Sequence, residues 1–195
     1  MNVINNQRSR KTKEQLRNAL LQLLEQNISV DDISVSKLCN TAGLNRSTFY
    51  SHYSVINDIL VEIREGVLEN LAAFVANIQY EDYSSLGVLL SYIRNNDNIF
   101  RVLFLNATDE EFENRFINTG YVSLAREGHR FWNKQYIKYF NTYLLNGTKF
   151  IFKEWIKNNY DISIDELQQL IIILNLSNLD SVPTINSMGK TPKSS

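Results

Sequence analysis

Five side chains between Arg46 and His52 can hydrogen-bond outward from one short stretch: Arg46, Ser47, Thr48, Tyr50 and His52. A guanidinium can bond both acceptors of a guanine edge. A threonine offers its methyl to thymine or its hydroxyl to a base or phosphate. Tyr50 and His52 suit phosphate oxygens, which set register without reading sequence. This is the chemistry of recognition, with no bond made or broken. Catalysis has much less support. The two histidines are His52 and His129, and no Gly-x-Ser-x-Gly elbow or His-Glu-x-x-His metal motif occurs. Gly189-Lys190-Thr191 lacks the upstream glycine loop that cradles a phosphate. The paired acids Asp31-Asp32 and Glu110-Glu111 read as solvated loop or helix-start charges. His, Cys, Asp and Glu do not converge in any metal-ligand spacing, so neither a metal nor a cofactor is expected.

The polar set needs a rigid mount, and the residues around it spell one. Ser34 is a good N-cap, since its hydroxyl can accept from a first-turn N–H. Leu38, Cys39 and Ala42 then form the inner side of a short helix. Gly43 follows where a left-handed residue ends a helix at no Cβ cost. Leu44 plugs the turn, and Asn45 caps a second helix opening at Arg46. Phe49 and Tyr53 are four apart, so one stripe anchors that helix to the core. In helix-turn-helix proteins the start of the second helix reaches base edges in the major groove. Ser34, Ser36 and Lys37 at the start of the first motif helix, and Asn45 in the turn, join the candidate DNA contacts. Cys39 is the sole cysteine, which rules out an internal disulfide. Its place on the inner face reads as small-residue packing, with a thiol sensor as the alternative.

The net charge of −1 conceals an asymmetry. Residues 1–17 hold Arg8, Arg10, Lys11, Lys13 and Arg17 against Glu14 alone. Such an arm supplies sequence-independent phosphate contacts. Arg10, Lys11 and Lys13 are the candidates, while Met1–Gln7 reads as a solvated, disordered terminus.

The run Ala42-Gly43-Leu44-Asn45-Arg46-Ser47-Thr48-Phe49-Tyr50-Ser51-His52-Tyr53 resembles the signature of the TetR/AcrR family of regulators. Members carry Ala-Gly-Val, a polar run, aromatic-Tyr-x-His-aromatic, then Lys-x-x-Leu-Leu, whose end Asp58-Ile59-Leu60 matches here. The resemblance covers about residues 10–65. It implies an all-helical homodimer that represses by binding a palindromic operator, with a C-terminal domain that senses a ligand or partner. One departure is Ile56, where the family often has a phosphate-contacting Lys.

The remaining chain reads as helix. With 195 residues and only two prolines and seven glycines, long helices are favoured. The polar, basic start predicts no signal peptide, and no run of about 18 apolar residues predicts a membrane span. A cytoplasmic protein is expected. Leu16, Leu20, Leu23 and Leu24 give a first helix of about residues 10–26. Ile56–Ile78 reads as a connector with Ile59, Ile63, Val67, Leu71 and Phe74 on one stripe, and Gly66 inside it as a hinge or a packing glycine. Helices follow at Ser84–Asn95, Asn98–Leu105, Asp109–Asn118 and Asn133–Asn158, with no clear boundary from Thr119 to Trp132. Ser163 opens a last helix with Glu166 completing a capping box. The expected fold is all-α: a three-helix DNA-binding domain over residues 8–55, a helical effector-binding and dimerisation domain over 56–179, and a polar tail over 180–195.

The helices near 133–158 and 163–179 carry more apolar residues than one core face needs. They are expected to form a four-helix dimer surface. The stretches Tyr143–Ile156 and Ser163–Leu167 look like a TetR subgroup that includes regulators of dihydroxyacetone kinase operons. Tyr92, Phe100, Phe104, Phe116, Tyr121, Trp132 and Tyr136 either line an apolar effector pocket or pack as ordinary core. Double-stranded DNA and a second copy are the expected partners, with a small-molecule effector as a third. Two alternatives are a DNA binder controlled by a protein partner and an enzyme built on a helical bundle.

Overall fold

The computed structural model describes residues 3–76, 84–121 and 134–176. Among these are nine α-helices: α1 (Val3–Glu25), α2 (Val35–Ala42), α3 (Arg46–Tyr50), α4 (Ile56–Ala76), α5 (Ser84–Asn95), α6 (Asp97–Arg101), α7 (Glu110–Tyr121), α8 (Lys134–Lys157) and α9 (Ile164–Leu176). The expected all-α class holds. The helix expected from about residue 10 begins at Val3, so residues 3–7 continue the helix rather than forming a disordered arm. The expected tail and most of the Thr119–Trp132 stretch lie outside the described residues.

Two compact units emerge, one from residues 3–70 and 96–113, the other from the remaining described residues. In the first, α1 packs on α2, on α6 and on the turn after α6, and α2 packs on α3. The apolar spacing of α1 drives this: Leu16, Leu20, Leu21, Leu23 and Leu24 are all buried. Ile33, Leu38, Phe49, Ile59 and Ile63 of the same unit are buried as well. Each fully buried leucine contributes roughly 1.5–3 kcal/mol of apolar transfer.

The helix expected over 98–105 is instead two pieces. After α6 the chain widens into a π-helix over Val102–Asn106, closed by Ala107 N–H donating to the Val102 carbonyl at 2.7 Å. Val102, Leu103 and Phe104 are buried there, and apolar periodicity alone does not separate a π turn from an α turn. Arg64 on α4 secures the end of this turn. Its guanidinium donates to the Ala107 carbonyl at 3.1 Å and pairs with Asp109 at 2.9 Å.

In the second unit α5 packs on α9. Leu86, Leu89, Leu90 and Ile93 of α5 are buried, as are Leu167 and Ile171 of α9. The capping box forms: Glu166 N–H donates to Ser163 Oγ at 3.2 Å, and Ser163 N–H donates to Glu166 Oε2 at 2.8 Å. The corner before it holds Asn159 and Tyr160 at positive φ. A bulky residue is rarely found there. Tyr160 is held by its edge contact with Trp155 at 4.7 Å, while Trp155 Nε1 donates to the Ile162 carbonyl.

Candidate nucleic-acid interface

The turn between α2 and α3 forms as its residues dictate. Ser34 Oγ accepts from Lys37 N–H at 3.2 Å and caps α2. Gly43 sits at φ 66, ψ 34, and Leu44 N–H reaches back to the Cys39 carbonyl at 2.9 Å, a closing bond that turns α2 into α3. Asn45 occupies the N-cap position of α3 with extended backbone, but its side chain makes no capping bond. The expected second cap is thus positional only, and the Asn45 amide faces solvent.

Phe49 is fully buried beneath α3, and Tyr53 beside it is 7% exposed, their rings 6.1 Å apart. This fixes which way the rest of the stretch faces. Arg46, Ser47 and Tyr50 are exposed, and Thr48 and His52 are half-buried. Tyr50 leans its ring edge on Phe49 at 5.2 Å while remaining 54% exposed. Ser34, Ser36 and Lys37 at the start of α2 are also exposed, as are Arg10 and Lys11 on α1. The candidate contact residues on α1, α2 and the α3 stretch are thus accessible at the surface, Thr48 and His52 only in part. Cys39 is buried, and that burial pushes its thiol pKa up against the opposing pull of Arg46. It is a packing residue.

Lys13 differs from its neighbours on the arm. Its ammonium pairs with Glu62 Oε2 at 2.7 Å and lies 5.2 Å from the centre of the Tyr53 ring. Position 56, the site of the departure from the resembled signature, is buried: Ile56 is 8% exposed and faces the core. It offers no group to a phosphate.

Two structural roles were not foreseen from the sequence, that of Asp58 as a helix cap and that of Glu62. Asp58 accepts from the backbone N–H groups of Ser54 and Val55, both at 3.0 Å, and so ties the loop after α3 to the first turn of α4. An acid in the third position of a helix is a visible signal for this. Glu62 accepts from the Tyr53 hydroxyl at 3.2 Å, nine residues away, and no local pattern announces it. Burial first, then Glu62, pushes the Tyr53 hydroxyl well above the ordinary phenol range, with Arg17 opposing.

The aromatic residues expected to line a pocket divide between the units. Phe100 and Phe104 are buried in the first, 6.0 Å apart, and Phe104 meets Phe112 at 6.1 Å. Phe116 is buried in the second, where Tyr92 is half-buried. The side chains of Tyr121 and Tyr136, and the whole of Trp132, lie outside what is described. No group of three or more His, Cys, Asp or Glu placed to hold a metal occurs among the described residues. No helix among them is long and apolar enough to cross a membrane.

An all-helical chain with a capped helix-turn-helix in one compact unit and long helices in the other has the fold of TetR-type transcriptional regulators. The solved structures it resembles bear this out. It matches a TetR transcriptional regulator from Streptococcus agalactiae 2603V with a TM-score of 0.68 and 24% identity, covering 88% of this chain and 97% of that one. It matches the dihydroxyacetone kinase operon activator DhaS with a TM-score of 0.55 and 20% identity, again over 88% of this chain and 97% of that one. No protein-family model matches the chain, and no curated protein sequence does either.

Proposed function

We propose that this protein is a sequence-specific DNA-binding transcriptional regulator that works as a homodimer in the cytoplasm. The observation that carries the reading is the outward polar face of α2 and α3. Arg46, Ser47 and Tyr50 are exposed on a helix whose opposite side, Phe49, is fully buried. That burial turns the polar side chains outward, which supports docking of this face into a major groove. Arg46 would read a guanine, Thr48 a base or phosphate, and Ser34, Ser36, Lys37, Asn45, Tyr50, His52, Arg10 and Lys11 would hold the backbone.

Dimerisation is supported by α8 and α9. Tyr139, Tyr143 and Phe150 on α8 are 64%, 59% and 63% exposed, at spacings that put them on one side of the helix. The opposite side, with Leu144, Phe152 and Trp155, is buried. On α9, Leu170, Ile173 and Leu174 are exposed as well. Exposed apolar side chains on one side of α8 and on α9 support a partner surface, and two copies of a helix pair can close into a four-helix bundle about a two-fold axis. Such a dimer reads a palindrome whose half-sites are about one helical turn, or a multiple of it, apart. We propose repression, released when an effector changes the spacing of the two reading heads. The operon activator among the structural neighbours makes activation the second reading.

Selection of bound genomic fragments by the purified protein at two salt concentrations tests the core of this. Recovery of a palindrome is expected, and binding without sequence preference would overturn it. Arg46→Ala should cost about 1–3 kcal/mol and relax selectivity at one base pair. Lys11→Ala should weaken all sequences alike and lower the salt slope by about one. A reporter driven from the recovered site separates repression from activation. An effector that binds but leaves DNA affinity unchanged would refute the release mechanism.

A further inference from the structure

We infer that Glu62 is a positioning residue for DNA reading: one carboxylate oxygen ties α1 and α4 to the tyrosine that follows the recognition helix. The inference rests on the proposed DNA-reading function. Glu62 Oε2 accepts from Lys13 Nζ of α1 at 2.7 Å and from the Tyr53 hydroxyl at 3.2 Å. The Lys13 ammonium also lies against the Tyr53 ring. Tyr53 comes three residues after α3 and packs on Phe49, the one buried anchor of that helix. The three side chains line a charged groove of about 700 Å³ between α1 and α4, together with Arg10, Arg17 and Gly66.

The arrangement has two consequences for reading. First, α3 has five residues and one buried anchor, so its pitch depends on what holds Tyr53. A bidentate base contact depends strongly on angle, and a small tilt degrades it without weakening phosphate contacts, which tolerate rotation. Second, Glu62 gives Lys13 an intramolecular partner that competes with phosphate for its ammonium. The basic arm reads on the sequence as three phosphate binders, Arg10, Lys11 and Lys13, but the last is also paired within the protein. The pair is half-exposed, at 39% and 51% of its side-chain surface, so its worth lies in geometry rather than in stability.

The test measures affinity for a selected operator duplex and for a scrambled duplex of equal length, in wild type, Glu62→Ala, Glu62→Gln and Tyr53→Phe. Glu62→Ala should lower operator affinity about tenfold, the size of one spoiled base contact, and leave scrambled-duplex affinity unchanged or raised. Glu62→Gln should restore the ratio to within about twofold, because its amide oxygen accepts from both partners. Tyr53→Phe should lose several-fold in the ratio while keeping the buried ring, and it carries the test if Glu62→Ala fails to fold. Wild type that prefers no sequence refutes the DNA-reading function and takes this inference with it. Wild type that selects an operator, with a ratio unmoved in Glu62→Ala and Tyr53→Phe, refutes the inference alone. Failure of Glu62→Gln to rescue also overturns it, since charge rather than hydrogen bonding would then be the cause.

Discussion

Replacing Gly66 by alanine should stabilise the protein. Gly66 lies in the interior of α4, and a Cβ placed there meets nothing within 4 Å. Its backbone is not in the left-handed region, since Gly43 is the positive-φ glycine among the described residues. Packing therefore gives no reason for glycine at this position. A glycine inside a helix costs about 0.8–1.0 kcal/mol relative to alanine, mostly through the freedom it adds to the unfolded chain. With no opposing steric cost, nearly all of that should return in Gly66→Ala. For a chain of this length, that gain raises Tm by about 2–4 °C. Urea unfolding followed by circular dichroism should show a higher midpoint with an unchanged slope. Two companion variants bracket the reasoning. Gly43→Ala should lose stability by about 1–2 kcal/mol, because φ 66 is strained for any residue with a Cβ. Gly147→Ala has equal free space in the single chain, but it lies between Tyr143 and Phe150 near the exposed face of α8. A gain smaller than that of Gly66→Ala would show that a second copy fills the space. A midpoint for Gly66→Ala that stays put or falls would refute the argument, and would mean that α4 bends at Gly66 in solution.

Ser34→Ala removes the α2 cap and should cost about 1 kcal/mol in the same urea assay, with no loss expected if the Lys37 N–H finds water instead. Hydrogen bonds from the Ser163 side chain and backbone hold the Glu166 carboxyl below its ordinary range. That depressed acid supports the start of α9 fully above the ordinary glutamate range, and the support fades as pH falls through the lowered value. An NMR titration of Glu166 that matches a free glutamate, or is unmoved by Ser163→Ala, would contradict this. Cys39, buried and with its thiol pushed up, should resist iodoacetamide in the folded protein and react only on unfolding. Rapid native-state alkylation would place it at an accessible surface.

The Ser34 cap, the glycine turn and the Phe49 anchor were legible because each is a local rule with a residue type attached. Ser34 and Gly43 behave as their types dictate, and the apolar spacing of α1 and α4 predicts which sides are buried. Asn45 shows the limit of such rules: the residue type suits a cap, and the backbone conformation matches, but the side chain makes no bond. The π turn after α6 was not legible, since the buried run Val102–Phe104 suits an α-helix equally well. The Lys13–Glu62–Tyr53 cluster was missed for a different reason. Its members come from separate elements, and only the packing of α1 against the rest makes them neighbours. Lys13 looked like Lys11 on the sequence; two residues on, it lies on a nearly opposite side of α1, and that gave it an intramolecular partner.

A five-residue helix cannot persist alone, because isolated helices below about 12–15 residues are marginal in water. The order of α3 is borrowed from the leucine core of α1 and α2 beneath Phe49. Its amides should therefore share the hydrogen-exchange rates of that core and open with it as one cooperative unit. A cavity made at Leu20, fully buried in that core, should therefore lower the melting point and speed exchange of the α3 amides together. Under the proposed DNA-reading function linkage runs the other way too: a bound operator would raise the stability of this whole unit, so DNA would act as part of its fold.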